Sequence, residues 1–105
     1  MAGLAVKTAL GLAHLGKKWA PSIIKELQSG EKRYFQLRSA IDGISEKMLA
    51  QTLRELERDG LVSRTSYPVV PPHVVYALTS PGTACAYYLA LLVDCIENHE
   101  YSLCN

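Results

Sequence analysis

The sequence is poor in the features on which several protein classes depend. Its 105 residues include three cysteines, one tryptophan and one phenylalanine. An odd cysteine count without a secretion signal predicts reduced thiols rather than a disulfide framework. Residues 1–16 carry one lysine inside an apolar stretch and so lack the basic-then-apolar order of a signal peptide. The longest uncharged helical stretch, residues 83–93, is shorter than the roughly 20 residues of a membrane span. We expect one cytoplasmic domain without a membrane segment.

Residue patterns that support catalysis are also missing. The sequence has no Ser/His/Asp order of a nucleophilic enzyme, no carboxylate pair expected to share a cleft and no glycine-rich phosphate loop. Cys95, His99 and Cys104 could supply three zinc ligands, but the paired Cys-x-x-Cys of structural zinc sites is absent. We therefore predict no catalytic residue, no metal and no cofactor. The thiols are interpreted as core or interface residues, and a disulfide between subunits through Cys85 or Cys95 stays open.

Positive charge is confined to one part of the chain. All 11 Lys and Arg residues lie between Lys7 and Arg64, and residues 65–105 contain none. Residues 16–67 hold ten basic groups against seven acidic groups. The overall net charge of +1 says little about partners, so only this distribution favours an anionic one. Five of the basic residues suit backbone phosphates, namely Lys17, Lys18, Lys32, Arg33 and Arg38.

Apolar periodicity predicts five helices, over residues 5–15, 18–29, 34–41, 45–59 and 83–99. Gly30 and Gly60 end two of them, and Ser45 is a good N-cap. Two runs rich in Val, Thr, Ser and Tyr predict strands over residues 61–67 and 73–79, joined by a proline-bearing loop. The Ser-Pro-Gly at 80–82 predicts a break before the last helix. This order predicts a mainly α protein with a small β-hairpin (α+β), in which a winged helix-turn-helix over residues 18–79 carries an additional helix at each end.

The helix predicted over residues 45–59 has two distinct sides. On a helical wheel Leu49, Leu53 and Leu56 fall within an arc of about 60°, which predicts that they face the core. The opposite side, at about 140–200°, carries Lys47, Gln51, Arg54 and Arg58. Arg and Lys can reach guanine or phosphate, and Gln can pair with adenine. A solvated face without a ligand is the alternative, but the second helix of a short-turn pair before a hairpin favours DNA binding.

The last predicted helix is apolar on both sides, so both sides need cover. In a chain this small a second copy is the simplest cover, with a ligand-lined surface as the alternative. The helix predicted over residues 5–15 would join the same interface. The predicted interface residues are Val6, Leu10, Leu12, Tyr88, Leu89, Leu92 and Ile96.

Three ordered motifs span much of the chain. They are LGKKW at residues 15–19, ISEKMLAQTLRELERDGLVSR at 44–64 and YPVVPPHVVYALT at 67–79. Together they resemble the HxlR-type winged-helix transcriptional regulators, with similarity over residues 6–99. The resemblance implies a homodimer joined by its first and last helices, with two recognition helices in successive major grooves. It also implies that the hairpin, or wing, approaches the neighbouring backbone or minor groove.

Several residues depart from the family pattern. Val6 stands where the family often has a cysteine, so sensing through that thiol is not carried over. In the wing, Val69, His73 and Val75 occupy positions where charged residues are usual. Phe35 replaces a small polar residue that would cap the helix over 34–41, and local packing is the only explanation that the sequence offers.

We therefore predict a homodimeric, sequence-specific DNA-binding transcription regulator on a pseudo-palindromic operator. Its recognition helix, residues 45–59, would enter the major groove and its wing, residues 67–73, would lie near the adjacent backbone. The predicted contacts to double-stranded DNA are Ser45, Lys47, Gln51, Arg54, Arg58, Arg64, His73, Lys32 and Arg33. Of these, Lys47, Gln51 and Arg54 are predicted to read bases. A small-molecule effector stays open.

A protein-interaction module is the alternative function. Its motivation is the weak net charge together with an apolar wing tip, Val69 to Pro72. This alternative predicts partner binding through the wing and no sequence-selective DNA binding.

Overall fold

The computed structural model describes residues 18–98, which contain four helices and three strands. In chain order these are α1 (Ala20–Leu27), β1 (Lys32–Arg33), α2 (Tyr34–Ala40), α3 (Glu46–Arg58), β2 (Val62–Tyr67), β3 (His73–Leu78) and α4 (Ser80–Asn98). The helix predicted over residues 5–15, with Val6, Leu10 and Leu12, lies outside the described residues.

The strands form one antiparallel sheet in the order β1-β3-β2. β2 and β3 pair from Val62 opposite Leu78 to Tyr67 opposite His73, which confirms the predicted hairpin. β1 adds a third strand on the other side of β3. The sequence predicted only two strands, so the prediction is corrected here. Two residues are too few to carry a period of two, so Lys32 and Arg33 become a strand only through pairing with β3.

Aliphatic side chains from the helices and β2 make the core. Leu49, Leu53 and Leu56 of α3 are at most 1% exposed, so the predicted inward side is confirmed. The other core residues are Ala20, Ile23, Ile24, Leu27, Leu37, Ile41, Ile44, Leu61, Val62 and Ala86. This packing holds the sides of α1, α2 and α3 that face inward and leaves their outer sides to solvent or partners.

α1 and α2 are both shorter than the sequence predicted. α1 spans Ala20–Leu27 rather than residues 18–29, with Pro21 in its first turn, where a missing N–H costs no hydrogen bond. α2 ends at Ala40, and Ile41 follows it in an extended conformation with its side chain buried. A turn at Asp42 and Gly43 follows, and Gly43 has a φ of +83°, a conformation that favours glycine.

α4 begins at Ser80 and not at residue 83, so Ser-Pro-Gly is its first turn rather than a break. The hydroxyl of Thr79 accepts a hydrogen bond from the Gly82 N–H (3.1 Å) and donates one to the Gly60 carbonyl (2.6 Å). A Cβ at Gly82 would lie 1.9 Å from the carbonyl oxygen of Leu61. The glycine is therefore needed because the helix approaches the chain before β2 closely. With α2, its turn and α3 followed by the β2-β3 hairpin, the predicted winged helix-turn-helix is confirmed.

Candidate nucleic-acid interface

The N-terminus of α3 is capped as the sequence predicts. The Ser45 hydroxyl accepts a hydrogen bond from the backbone N–H of Met48 at 3.1 Å. Ser45 itself has an extended backbone, and the helix begins at Glu46. The cap satisfies one of the free N–H groups of the first turn and so fixes where the helix starts.

The outer side of α3 carries the predicted polar stripe. Its four side chains, all exposed, are Lys47, Gln51, Arg54 and Arg58. From first to last they span about 16 Å along the helix axis. On the helical wheel the three glutamates of α3 lie at about 60°, 80° and 240°, outside the stripe's range of about 140–200°. Although α3 carries equal numbers of acidic and basic residues, its basic groups therefore share one side.

One of the stripe residues is held by a neighbour on the same helix. The Gln51 amide Nε2 donates to the Glu55 carboxylate Oε1 at 3.3 Å. This contact keeps the amide group on the outer side of the helix, between the basic side chains. An amide has one acceptor and two donors, so Gln51 keeps capacity for further hydrogen bonds.

The first turn of α3 is tied to α2 by two contacts to Glu46. The Arg38 guanidinium lies 2.6 Å from the Glu46 carboxylate, and the Tyr34 hydroxyl donates to the Glu46 backbone carbonyl at 2.8 Å. Arg38, which the sequence suggested for phosphates, thus has an intramolecular partner. The ion pair is 42% and 61% exposed on its two sides, so solvent screens it. Its main effect is to orient α3 relative to α2.

Three of the other basic residues, Lys32, Arg33 and Arg64, lie on the sheet. Lys32 of β1 and Arg64 of β2 are both opposite Tyr76 of β3, from its two sides. Residues directly opposite one another in a sheet lie on the same face, so Lys32 and Arg64 are on one face. The two outer strands that carry them are about 10 Å apart. The Lys32 ammonium donates to the Ser29 hydroxyl at 3.0 Å. The predicted DNA contacts therefore form two groups, one on α3 and one on the sheet.

The wing is apolar at its tip and aromatic at its base. Tyr67 and His73 stack with ring centroids 5.1 Å apart, which places His73 at the base. Val70 at the tip is 98% exposed, and residues 65–73 carry no Lys, Arg, Asp or Glu. Any contact made by this tip is consequently apolar or through the backbone.

The four interface residues predicted on α4 differ in their exposure. Tyr88, Leu92 and Ile96 are exposed, whereas Leu89 is half-buried and packs against the core of its own chain. Part of the Leu89 side chain is therefore buried within its own subunit. The prediction that all four residues of α4 face outward holds fully only for the other three. The large apolar side chains exposed on α4 are Tyr87, Tyr88, Leu91, Leu92, Val93 and Ile96.

A groove of about 430 Å³ lies between α1 and α4. Ile24, Leu89 and Val93 contribute apolar surface to it, and Lys25 and Glu97 contribute charge. A volume of this size is sufficient for a small molecule.

Other site types receive little support from residues 18–98. In this range no three His, Cys, Asp or Glu side chains gather in a group suited to a metal ion. Cys85 and Cys95 are both free thiols, while His99 and Cys104 lie outside the described residues. Over the same part of the chain, no helix combines the length and apolar character that crossing a membrane requires.

The interpretation of Phe35 as a replaced capping residue, explained by local packing, is wrong. The residue before α2 is Arg33, and the Gln36 side chain accepts a hydrogen bond from its backbone N–H at 2.8 Å. The helix start is therefore satisfied without a polar residue at 35. Phe35 is 71% exposed, so local packing does not explain it either. The position of Leu37, two residues later on the core side, is the sequence signal that predicts this exposure.

The helix-turn-helix with its following hairpin agrees with the comparison of this chain with known proteins. The sequence profile of the HxlR-like helix-turn-helix family matches residues 14–102. The chain belongs to this family. HxlR-type regulators are helix-turn-helix transcriptional regulators, and the resemblance seen in the three sequence motifs is thereby confirmed.

Individual relatives agree with this assignment. The uncharacterized HTH-type transcriptional regulator YtfH of Escherichia coli K12 is 48% identical over 86 residues, which cover 82% of this chain and 68% of that protein. The solved structure of YtfH from Salmonella typhimurium is 47% identical and superposes with a TM-score of 0.75, covering 83% of this chain and 78% of that one. The reduced form of the transcriptional regulator YodB from Bacillus subtilis is 36% identical, with a TM-score of 0.78 over 92% of this chain and 96% of that one.

Proposed function

We propose that this chain is a sequence-specific DNA-binding regulator that acts as a homodimer on a pseudo-palindromic site. The observation that carries the proposal is the shared outer side of α3, where Lys47, Gln51, Arg54 and Arg58 are all exposed. α3 is the second helix of a helix-turn-helix, which is the helix that enters the major groove in such proteins. The family membership supports DNA as the partner.

Within this proposal the DNA-contacting side chains fall into those that read bases and those that contact the sugar-phosphate backbone. Lys47, Gln51 and Arg54 lie in the N-terminal two-thirds of α3 and read base edges, because that part of a recognition helix reaches deepest. The remaining predicted contacts go to the sugar-phosphate backbone and are Ser45, Arg58, Arg64, His73, Lys32 and Arg33. The Tyr34 and Arg38 contacts to Glu46 hold α3 in the orientation that this reading needs.

The exposed apolar side of α4 supports the homodimer. Tyr88, Leu92 and Ile96 lie there, and a surface of this kind on a small domain is stabilised when a second copy covers it. Two copies joined in this way would present two α3 helices to half-sites about one helical turn apart. The contribution predicted for Val6, Leu10 and Leu12 remains part of the proposal, as does action in the cytoplasm.

Selection of DNA from a random duplex library by the purified protein tests this function. We expect enrichment of an inverted repeat whose half-site centres are about 10 to 11 base pairs apart. A variant in which Lys47, Gln51 and Arg54 are all replaced by Ala is the matched control, and it should enrich nothing while remaining a folded dimer. A pool from the unaltered protein that equals the input, with a folded dimer verified by sedimentation, would contradict the proposal.

The alternative, a protein-interaction module, is favoured by one observation. Val70 is 98% exposed at the tip of an uncharged wing, where a DNA-binding wing would benefit from cations. This alternative predicts no enriched duplex and a partner protein whose binding is lost when Val69 and Val70 are replaced by Ser. A small-molecule effector, if there is one, would be sought in the groove between α1 and α4 by its effect on DNA affinity.

A further inference from the structure

The only phenylalanine of the chain is turned to solvent by the geometry of α2. Leu37 is fully buried, and Phe35 precedes it by two residues, about 200° around the helix. If Leu37 faces the core, Phe35 must face away from it. Its ring meets that of Tyr34 edge to face, with the centroids 5.7 Å apart, and is otherwise 71% exposed. The burial of Leu37 therefore forces this exposure, and residues 18–98 leave most of the ring uncovered.

The position of Phe35 indicates what that partner is. Phe35 lies in the first turn of α2, and its neighbour Tyr34 is bonded to Glu46 at the N-terminus of α3. In helix-turn-helix proteins the first helix crosses the DNA backbone beside the groove that the second helix enters. The two residues before Tyr34 are Lys32 and Arg33, so two basic residues lie within three positions of Phe35 in the chain. A negatively charged backbone with apolar sugar carbons matches both features.

We propose that Phe35 contacts a deoxyribose of the DNA backbone beside the major groove that α3 enters, an inference that rests on the proposed DNA-binding function. Lys32 and Arg33 are suited to the neighbouring phosphates, and the phenyl ring covers the sugar between them. This contact buries apolar area but releases no counterions, so it adds affinity that does not depend on salt.

The test measures affinity for the duplex that the unaltered protein selects, at several salt concentrations between about 50 and 200 mM. Phe35→Ser should weaken binding by about tenfold at every concentration, because part of the ring area is lost. The slope of log affinity against log salt should stay that of the unaltered protein. Phe35→Leu, which keeps an apolar side chain, should restore most of the affinity. Arg58→Ala, which removes a cation assigned to a phosphate, is measured alongside and should reduce the slope.

Thermal unfolding shows whether Phe35→Ser loses affinity through a missing DNA contact or through a destabilised fold. Since the ring is exposed, Phe35→Ser should unfold at the temperature of the unaltered protein. Equal affinity of Phe35→Ser and the unaltered protein would overturn the inference, and so would a loss of affinity accompanied by a lower unfolding temperature. If the unaltered protein selects no duplex, both this inference and the proposed function fail. If it selects one and Phe35→Ser binds it equally well, only this inference fails.

Discussion

α3 and α4 are the two longest helices within residues 18–98, and they differ in what they leave outside. α3 buries Leu49, Leu53 and Leu56 and exposes a basic, amide-bearing stripe. α4 buries Gly82 and Ala86 and exposes tyrosines and aliphatic residues, with no Lys or Arg from Ser80 to Asn98. The inner side of each helix explains how it is held, and the outer side indicates its partner. An anionic partner fits α3, whereas an apolar one fits α4.

The largest effect is expected from a change that removes the support of α3. Leu53→Ala should lower the free energy of unfolding by about 2 to 5 kcal/mol, because it leaves a cavity in the core. Urea denaturation at low protein concentration measures it. Leu92→Ala on α4 is the matched control, since Leu92 is 55% exposed and the same truncation should cost the subunit little. Similar losses for both would contradict the contrast between the two helices.

A charge on the outer side of α4 tests its proposed partner. Leu92→Glu should weaken self-association by more than about 100-fold, because the carboxylate would be buried without a partner. Sedimentation equilibrium gives the dissociation constant. Thr83→Glu adds the same charge to an exposed position in the first turn of α4 and should leave association unchanged. An unaltered dimer in the Leu92 variant would remove α4 from the interface.

Single residues of the α3 stripe are expected to have moderate effects. Arg54→Ala should cost about 1 to 3 kcal/mol on the selected duplex and less on random DNA, because a base contact is lost. Arg58→Ala is the comparison, since loss of a phosphate contact should weaken both duplexes alike. Fluorescence anisotropy with both duplexes measures the difference. An equal loss for Arg54→Ala on random DNA would reassign Arg54 to the backbone.

The cap of α3 is expected to contribute to the stability of the free protein. Ser45→Ala removes the acceptor for the Met48 N–H and should cost about 1 kcal/mol of unfolding free energy. Ser45→Asp keeps an acceptor and should retain most of the stability. Ser39→Ala, an exposed serine within α2, is the control and should be neutral. Chemical denaturation in which Ser45→Ala matches the unaltered protein would show that the cap contributes nothing.

The smallest effect is expected at the exposed ion pair between α2 and α3. A double-mutant cycle of Arg38→Ala and Glu46→Gln should give a coupling energy below about 1 kcal/mol, since solvent screens both groups. The coupling should fall further in 1 M salt, where the screening length is about 3 Å. A coupling that stays large at high salt would indicate that the pair does more than orient α3.

Local signals were sufficient for α3 and the hairpin. α3 was predicted from Ser45 to Asp59, and its helical residues are Glu46–Arg58, because the cap, the leucine spacing and Gly60 all lie within the segment. The strands were likewise predicted to within one residue at each end. Features that depend on distant segments were missed. β1 needs β3 to exist, and Gly82 is required by the approach of Leu61.

For the candidate interface, the exposure of the α3 stripe was predicted correctly from the sequence. The intramolecular contacts of Arg38 and Gln36 were not predicted. The four stripe residues of α3 face outward as the wheel predicts, since the leucines between them face inward. The contact of Arg38 with Glu46 joins residues on two helices across a turn, and no periodicity encodes it. Phe35 was interpreted as a lost cap, because the sequence did not reveal that Gln36 supplies the acceptor.

The helices, the hairpin and the polar and apolar sides of α3 could all be predicted from local sequence patterns. These follow from the rotation of about 100° per residue in a helix and from capping groups within a few residues. The partners of individual cations, the apolar residues that remain uncovered and the need for glycine at position 82 depend on how distant segments pack. Pairing and close packing join segments that are far apart in sequence, so their energies depend on the arrangement of the whole chain rather than on any local pattern.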